Sequence, residues 1–310
     1  MRDVHIASGD AETAKYDADI VIIGGGPAGM AAALGAAETN ARVLIIERAP
    51  TLGGILTQCA HHGFGISYFG EELTGQEYAR RFAALVADSR VEVLTDATVL
   101  SIGADRTLSV TGKEIGLIDI AAKAVILASG CRERTIGALD VAGTRPSGVM
   151  PAGAAQKMLI LSGYDIGDNV VILGSGDVGL IVARELAQRG KRVVAVIEQN
   201  EHCGGMARNR KNCLERYNIP LITRATVEKI HGMPRICGVT VTDGSYIKCD
   251  TLITSIGLIP ERELIDGFVK TLPEWLYVTG NAEHVYDIVD GLSRDATAVG
   301  NIAASRMRHA

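Results

Sequence analysis

Two stretches of the chain repeat one succession of apolar and polar positions. Residues 20–23 (Ile-Val-Ile-Ile) form an unbroken aliphatic run. It meets Gly24-Gly25-Gly26-Pro27-Ala28-Gly29, an alanine-rich segment to about Asn40, and a second run, Val43-Leu44-Ile45-Ile46, closed by Glu47. Residues 170–173 (Val-Val-Ile-Leu) meet Gly174-Ser175-Gly176-Asp177-Val178-Gly179, a segment reaching Gly190, and a run from Val193 to Ile197 closed by Glu198. Aliphatic runs without alternation predict strands covered on both faces, as in parallel sheets. In the second segment Val178, Ile181, Val182 and Leu186 fall at helical spacing. Each stretch therefore predicts a strand, a glycine turn, a helix and another strand.

The repeat extends past the turns. From Gly24 to Gly174 the offset is 150 residues; from Glu47 to Glu198, and from Gly53-Gly54 to Gly204-Gly205, it is 151. Residues 91–120 break at Asp96, Gly103, Asp105 and Gly112-Lys113, which predicts a small antiparallel meander. An aliphatic strand over 124–128 follows and ends in Ser129-Gly130. After the second stretch the same order returns: strand-like residues 223–248 with turns at 232–234 and 243–244, then a closing strand over 251–257. The predicted fold is α/β, two tandem Rossmann-like dinucleotide-binding domains of three layers each. A final helix is predicted over 292–307, with Asp290 or Ser293 as its cap.

Composition adds exclusions. Residues 20–37 run 18 positions without a charge, long enough to suggest a membrane span, but Gly-Gly-Gly-Pro at 24–27 would break such a helix near its start. No span is expected. A net charge of −5 leaves no basic footprint for nucleic acid or an anionic membrane. Aromatic residues at 4% and 36 glycines suit aliphatic strands joined by tight turns. Six cysteines, with no CxxC, no metal-ligand spacing and no signal peptide ahead of them, predict a reduced, cytoplasmic protein without a metal site.

The repeated turns carry the chemistry. Gly24 and Gly174 permit the turn, Gly26 and Gly176 let backbone approach a pyrophosphate, and Gly29 and Gly179 let helix and strand pack closely. The pyrophosphate would sit on free N–H groups at the positive end of the helix, where Pro27 is tolerated because its missing N–H has no partner to lose. Glu47 and Glu198 close the second strands, 23 and 24 residues after the first glycines, where a carboxylate accepts from an adenosine ribose. A carboxylate repels a 2′-phosphate, and Gln199 and Asn200 follow Glu198, so the second site is expected to prefer NAD to NADP. Arg208 and Arg210 lie close enough in sequence to weaken that preference.

In this order, GGGPAG, Glu47, Ala128-Ser129-Gly130, GSGDVG, Ser255-Ile256-Gly257-Leu258-Ile259-Pro260 and Leu276-Tyr277-Val278-Thr279-Gly280-Asn281 resemble the pyridine-nucleotide-dependent flavoproteins with two dinucleotide domains. The resemblance covers about residues 17–304, at the length of a thioredoxin reductase. Residues 53–65, Gly130-Cys131-Arg132-Glu133-Arg134 and the segment from Gly280 to Val285 are similar to one branch. That branch is the FAD-dependent oxidoreductases resembling the large subunits of opine oxidase and hydrogen cyanide synthase, and those accompanying anaerobic glycerol-3-phosphate oxidation.

The resemblance implies FAD in the first unit, contacted by Gly24, Gly26, Pro27, Ala28, Gly29, Glu47, Arg48, Gly54, Ser129, Gly130, Gly280 and Asn281. It implies NAD in the second, contacted by Gly174, Gly176, Asp177, Gly179 and Glu198. The FAD domain would be discontinuous, residues 1–143 and 264–310, around an NAD domain of 144–263. Two departures stand out. Thioredoxin reductase carries a CxxC ahead of its second glycine turn, where this chain reads Pro151-Ala-Gly-Ala-Ala-Gln156; Asn281 replaces an Asp that binds the flavin ribityl chain in many relatives. An Asn carbonyl accepts the same bond without the charge.

Near the flavin, Cys59 is a candidate redox thiol or substrate contact, or else a small buried apolar residue, and His62 is a candidate acid or base, or else structural. His61, His284 and Asp287 lie in the same segments. The charges of residues 131–134 would either meet a carboxylated substrate or form a solvated loop. The expected function is hydride transfer between NAD(H) and flavin, with a small substrate or electron acceptor beyond it. The alternatives are a flavin-bearing subunit of a heteromeric amino, opine or hydroxy-acid dehydrogenase, and a non-catalytic nucleotide sensor. Partner subunits and a homodimer are the candidate assemblies.

Overall fold

The aliphatic run at 20–23 lies at the centre of the first sheet. The computed structural model describes residues 2–3, 15–268 and 271–307. By its internal contacts the chain forms two units, Met1–Cys131 with Pro260–Ala310, and Arg132–Ile259. Strands Cys131–Glu133 and Leu258–Pro260, which carry the two chain crossings, pair with each other.

In the first unit the parallel order is Glu92–Leu94, Val43–Ile46, Lys15–Ile23, Gly116–Leu127, with Leu276–Val278 against the last three residues of the long strand. Ile20, Val21, Ile22 and Ile45 are wholly buried because both faces are covered. Helices Pro27–Ala37, Gly75–Ala87 and Val289–Met307 cover one face. The antiparallel strands Ala97–Ile102 and Thr107–Gly112 cover the other, together with the amino-terminal half of Gly116–Leu127.

That last strand corrects the sequence reading, which separated the end of the meander from a strand at 124–128. It runs twelve residues without a break. Ala121-Ala122-Lys123 contains no turn residue, and Lys15–Ile23 offers a partner along nearly the whole length, from Lys15 opposite Asp119 to Ile23 opposite Leu127. An Asp19–Lys123 ion pair at 2.7 Å spans the point where the ladder skips.

The uncharged run has a packing cause. Helix Pro27–Ala37 lies so close to Val289–Met307 that a Cβ on Gly35 would come within 2.3 Å of the Thr297 carbonyl oxygen. One on Gly300 would come within 2.0 Å of the Ala32 carbonyl oxygen. Small uncharged side chains are what such an approach tolerates. Among the described residues no helix is long and apolar enough to cross a membrane.

The final helix begins at Val289, ahead of the expected 292, and neither proposed cap serves it. The Asp290 carboxylate is 3% exposed and accepts from the backbone N–H groups of Gly65 (2.9 Å), Ser67 (2.7 Å) and Tyr68 (3.2 Å), which pins the turn at 65–68. Ser293 is buried and accepts from the Tyr78 hydroxyl at 2.9 Å.

The second unit repeats the plan. Its parallel order is Val149–Pro151, Thr251–Thr254, Asn169–Leu173, Arg192–Ile197, Leu221–Ile222. Helix Asp177–Gln188 packs on one face, and the antiparallel strands Val227–His231, Gly238–Val241 and Tyr246–Lys248 form a further sheet, with turns where the sequence placed them. One detail differs. The buried face of Asp177–Gln188 is Gly179, Leu180, Val182, Ala183 and Leu186, while Val178 is 40% exposed. Close contact at Gly179, where a Cβ would lie 2.7 Å from the Gly174 carbonyl oxygen, turns the inward stripe away from Val178.

Candidate functional site

In the first unit the strand Lys15–Ile23 ends at Gly24, whose φ of 106° is a backbone region that favours glycine. A Cβ there would meet the Ala128 carbonyl oxygen at 2.5 Å. Gly26 precedes the helix, no side chain caps that helix start, and its first turn carries no acid. A Cβ on Gly26 would point into open space bounded by the Gly54 Cα at 3.9 Å, and the Gly53 N–H donates to the Gly25 carbonyl at 2.8 Å. Gly280 packs on Ala28, the distance from a Cβ on the glycine to the alanine Cβ being 2.5 Å. The floor and rim of this cradle are therefore backbone and small side chains around unpaired helical N–H groups. Its donors and its open face fit a pyrophosphate.

Around the cradle, Glu47 is 7% exposed, and its carboxylate accepts from Gly25 N at 2.6 Å and from Ala49 N at 2.7 Å. The bonds expected from a ribose would come in addition to these. Ser129 donates to the Glu261 carbonyl at 2.6 Å, and the Gly130 carbonyl accepts from Glu261 N at 3.0 Å. Arg48 is largely exposed and 3.7 Å from the Glu261 carboxylate. The Asn281 carbonyl accepts from Tyr286 N at 3.0 Å, while its amide nitrogen lies 3.6 Å from the Cys131 sulfur. The His284 and Tyr286 rings stack, centroids 4.0 Å apart.

The two candidate catalytic residues have different surroundings. Cys59 is 8% exposed, belongs to the first core cluster and has its sulfur 3.5 Å from the Ile55 carbonyl oxygen. Burial pushes its thiol up to about 12, so at neutral pH it carries its proton. His62 is exposed on strand His62–Phe64, opposite Thr74. The His61 ring lies 5.1 Å from that of Phe64.

In the second unit Gly174 has φ 101°, and a Cβ on it would lie 2.0 Å from the Ser255 carbonyl oxygen. A Cβ on Gly176, which precedes the helix, would find nothing within 4 Å. This cradle too is open and fits a phosphate. Asp177, expected to contact the nucleotide, uses one carboxylate oxygen to accept from Met206 N and Asn209 Nδ2, both at 2.8 Å. It thereby fastens the loop after Gly204-Gly205 to the helix start.

Glu198 is 6% exposed. One oxygen accepts from Ser175 N at 3.0 Å and Ser175 Oγ at 2.6 Å; the other accepts from Asn200 N at 2.9 Å and Asn200 Nδ2 at 2.8 Å. Burial acts to raise its pKa, but these bonds outweigh it and hold the carboxyl below the usual glutamate value.

Within residues 131–134 the short strand Cys131–Glu133 leaves Arg132 and Arg134 exposed, while Glu133 turns to the protein. The Glu133 carboxylate accepts from Gly153 N at 2.7 Å and Ala154 N at 3.3 Å, closing the start of helix Ala152–Ile160. Burial raises its pKa against the pull of those bonds. Sequence reasoning missed this role, and those of Ser175, Asn200 and Asp290, because each acts on a partner distant along the chain or two positions past the motif. For Ser175 and Asn200 a signal existed: the repeat aligns them with Gly25 and Ala49, which have no polar side chain.

Residues 18–278 match the family model of the pyridine nucleotide-disulphide oxidoreductases. The thioredoxin reductase of Mycolicibacterium smegmatis is 30% identical over 288 residues, 88% of this chain and 86% of that protein. One of the opine oxidase subunits of Agrobacterium tumefaciens is 32% identical over 190 residues, and the match spans 58% of this chain but 36% of that protein. Among solved structures, T. acidophilum thioredoxin reductase superposes with a TM-score of 0.75 over 94% of this chain and 99% of that one, at 22% identity, a likeness of fold. The chain belongs to the pyridine nucleotide-disulphide oxidoreductase family and is an oxidoreductase that uses FAD and NAD(P)H.

Proposed function

We propose that this chain moves hydride between NADH and FAD and exchanges the electrons with a small substrate or a partner protein, using no cysteine pair of its own. The observation behind this reading is the duplicated cradle, a glycine turn under an open helix start with a buried glutamate beside it, once per unit. In the first unit the helix start and the Gly53-Gly54 backbone bind the pyrophosphate of FAD, and Glu47 orients its ribose. Gly280 holds residues 280–281 against the helix entry, and Tyr286 N keeps the Asn281 side chain fixed there. In the second unit Gly176 and the helix start bind NAD, and the charge on Glu198 disfavours a 2′-phosphate. Bound together, the cofactors supply hydride exchange between the nicotinamide and flavin rings.

Two features support a route without a disulfide. The chain contains no CxxC, and all six cysteines are free thiols. Helix Ala152–Ile160, which follows Pro151 where thioredoxin reductase has its CxxC, presents Ala-Gly-Ala closed by Glu133. Cys59 then serves as packing, and His62 stands exposed on its strand. A heteromeric assembly is the second reading, supported by two relatives whose names make them subunits of opine oxidase and of hydrogen cyanide synthase, at 32% and 31% identity.

The test is a visible spectrum of the purified protein under nitrogen. NADH is expected to bleach the flavin band, with NADPH less effective. A colourless protein that cannot be reconstituted with FAD would sink the proposal. Flavin reduction by a small organic substrate only after a partner chain is added would favour the second reading.

A further inference from the structure

The two copies of the cradle differ beside the acid. In the first, Gly25 and Ala49 offer only backbone, and Glu47 accepts one bond on each oxygen. In the second, Ser175 and Asn200 stand at those places, and Glu198 accepts two bonds on each. A carboxylate has about four lone-pair sites. Glu47 therefore keeps two for ribose hydroxyls, whereas Glu198 has none left.

We infer that Asn200 sets the affinity of the second unit for its nicotinamide nucleotide, by competing with the adenosine ribose for Glu198. The inference rests on the reading that this unit takes NAD(H). A ribose hydroxyl reaches the carboxylate only when one of the four donors lets go. The two backbone N–H groups are fixed by the chain. The Ser175 hydroxyl is also held, since the residue is wholly buried and its oxygen accepts from Gly204 N at 2.8 Å while it donates to Glu198. Asn200 is exposed, so its side-chain amide can turn to water and keep its hydrogen bonds. It is the donor that yields, and breaking its bond to a buried charge is a cost that every bound nucleotide carries.

Asn200→Ala recreates the arrangement of Ala49 and removes that competitor. Calorimetric titration of the oxidised, FAD-loaded protein with NAD+ is expected to give a Kd about tenfold lower, or lower still, for the variant than for the parent, the worth of one hydrogen bond to a charged group. Ser175→Gly, which recreates Gly25, is expected to tighten binding in the same direction, and flavin content checks that each variant is folded. An unchanged Kd for both variants would overturn the inference. A weaker Kd for Asn200→Ala would overturn it too, because the amide would then be holding the ribose itself. Binding to all three proteins with equal affinity leaves the nicotinamide reading intact, whereas no binding to any of them removes both.

Discussion

The two helices that open the cradles share a grammar but not a setting. In Pro27–Ala37, eight of eleven residues are buried; in Asp177–Gln188, five of twelve are. The first is roofed by Val289–Met307, so it carries no charge along its length and needs Gly35 where the two backbones meet. The second has one face in solvent, where Arg189 and Glu185 pair at 2.8 Å. A shared glycine turn and an uncapped helix start thus coexist with very different composition along the helix bodies. What covers an element decides its composition; what it binds decides only its first turn.

The comparison breaks if the roofed helix tolerates bulk. Gly300→Val drives a side chain into the Ala32 carbonyl and is expected to lower stability by about 3 kcal/mol or more, read from the denaturant midpoint. A midpoint equal to the parent's would mean the helix pair is not close-packed. Next in size, Asp290→Ala strips the backbone donors at 65, 67 and 68 of their buried acceptor and should cost about 2 kcal/mol. Gly26→Ala and Gly176→Ala sharpen the comparison from the other end, since neither Cβ meets a protein atom closer than 3.9 Å. Compared free of cofactor, both should fold within about 0.5 kcal/mol of the parent. The first should lose FAD, and the second should keep FAD while binding NADH at least about tenfold more weakly, the methyl occupying the space the phosphate needs. If Gly176→Ala lost flavin instead, the assignment of cofactors to units would be reversed. Smallest of all, Glu185→Ala on the solvent face of the second helix should shift stability by no more than about 0.5 kcal/mol.

The cradles were legible because their chemistry is local. A strand, a glycine turn and a helix start lie within ten residues, and the forbidden Cβ positions at Gly24, Gly29, Gly174 and Gly179 arise from atoms of the same small unit or of the neighbouring strand end. The continuity of the strand over 116–127 is not legible locally because Ala121-Ala122-Lys123 has weak strand character alone; only its partner at Lys15–Ile23 makes it continuous. Asp290 looked like a helix cap from its position in sequence, yet its bonds go to a turn 225 residues away from it at the Gly65 end. Cys59 sat in a motif that suggested chemistry, while the Gly75 helix packed against it leaves a buried thiol.

By itself the sequence determined the duplication, the order of strands and helices, the glycines that turn the chain, and the acid that closes each second strand. All of these depend on backbone sterics and apolar periodicity, which act over a few residues. Tertiary structure alone decided which helix is roofed, which carboxylate holds a distant turn, and how many lone pairs each glutamate retains. Those outcomes depend on which donors and surfaces are brought together from far along the chain, and a count of hydrogen bonds to Glu198 exists only once Ser175, Asn200 and the acid share one place.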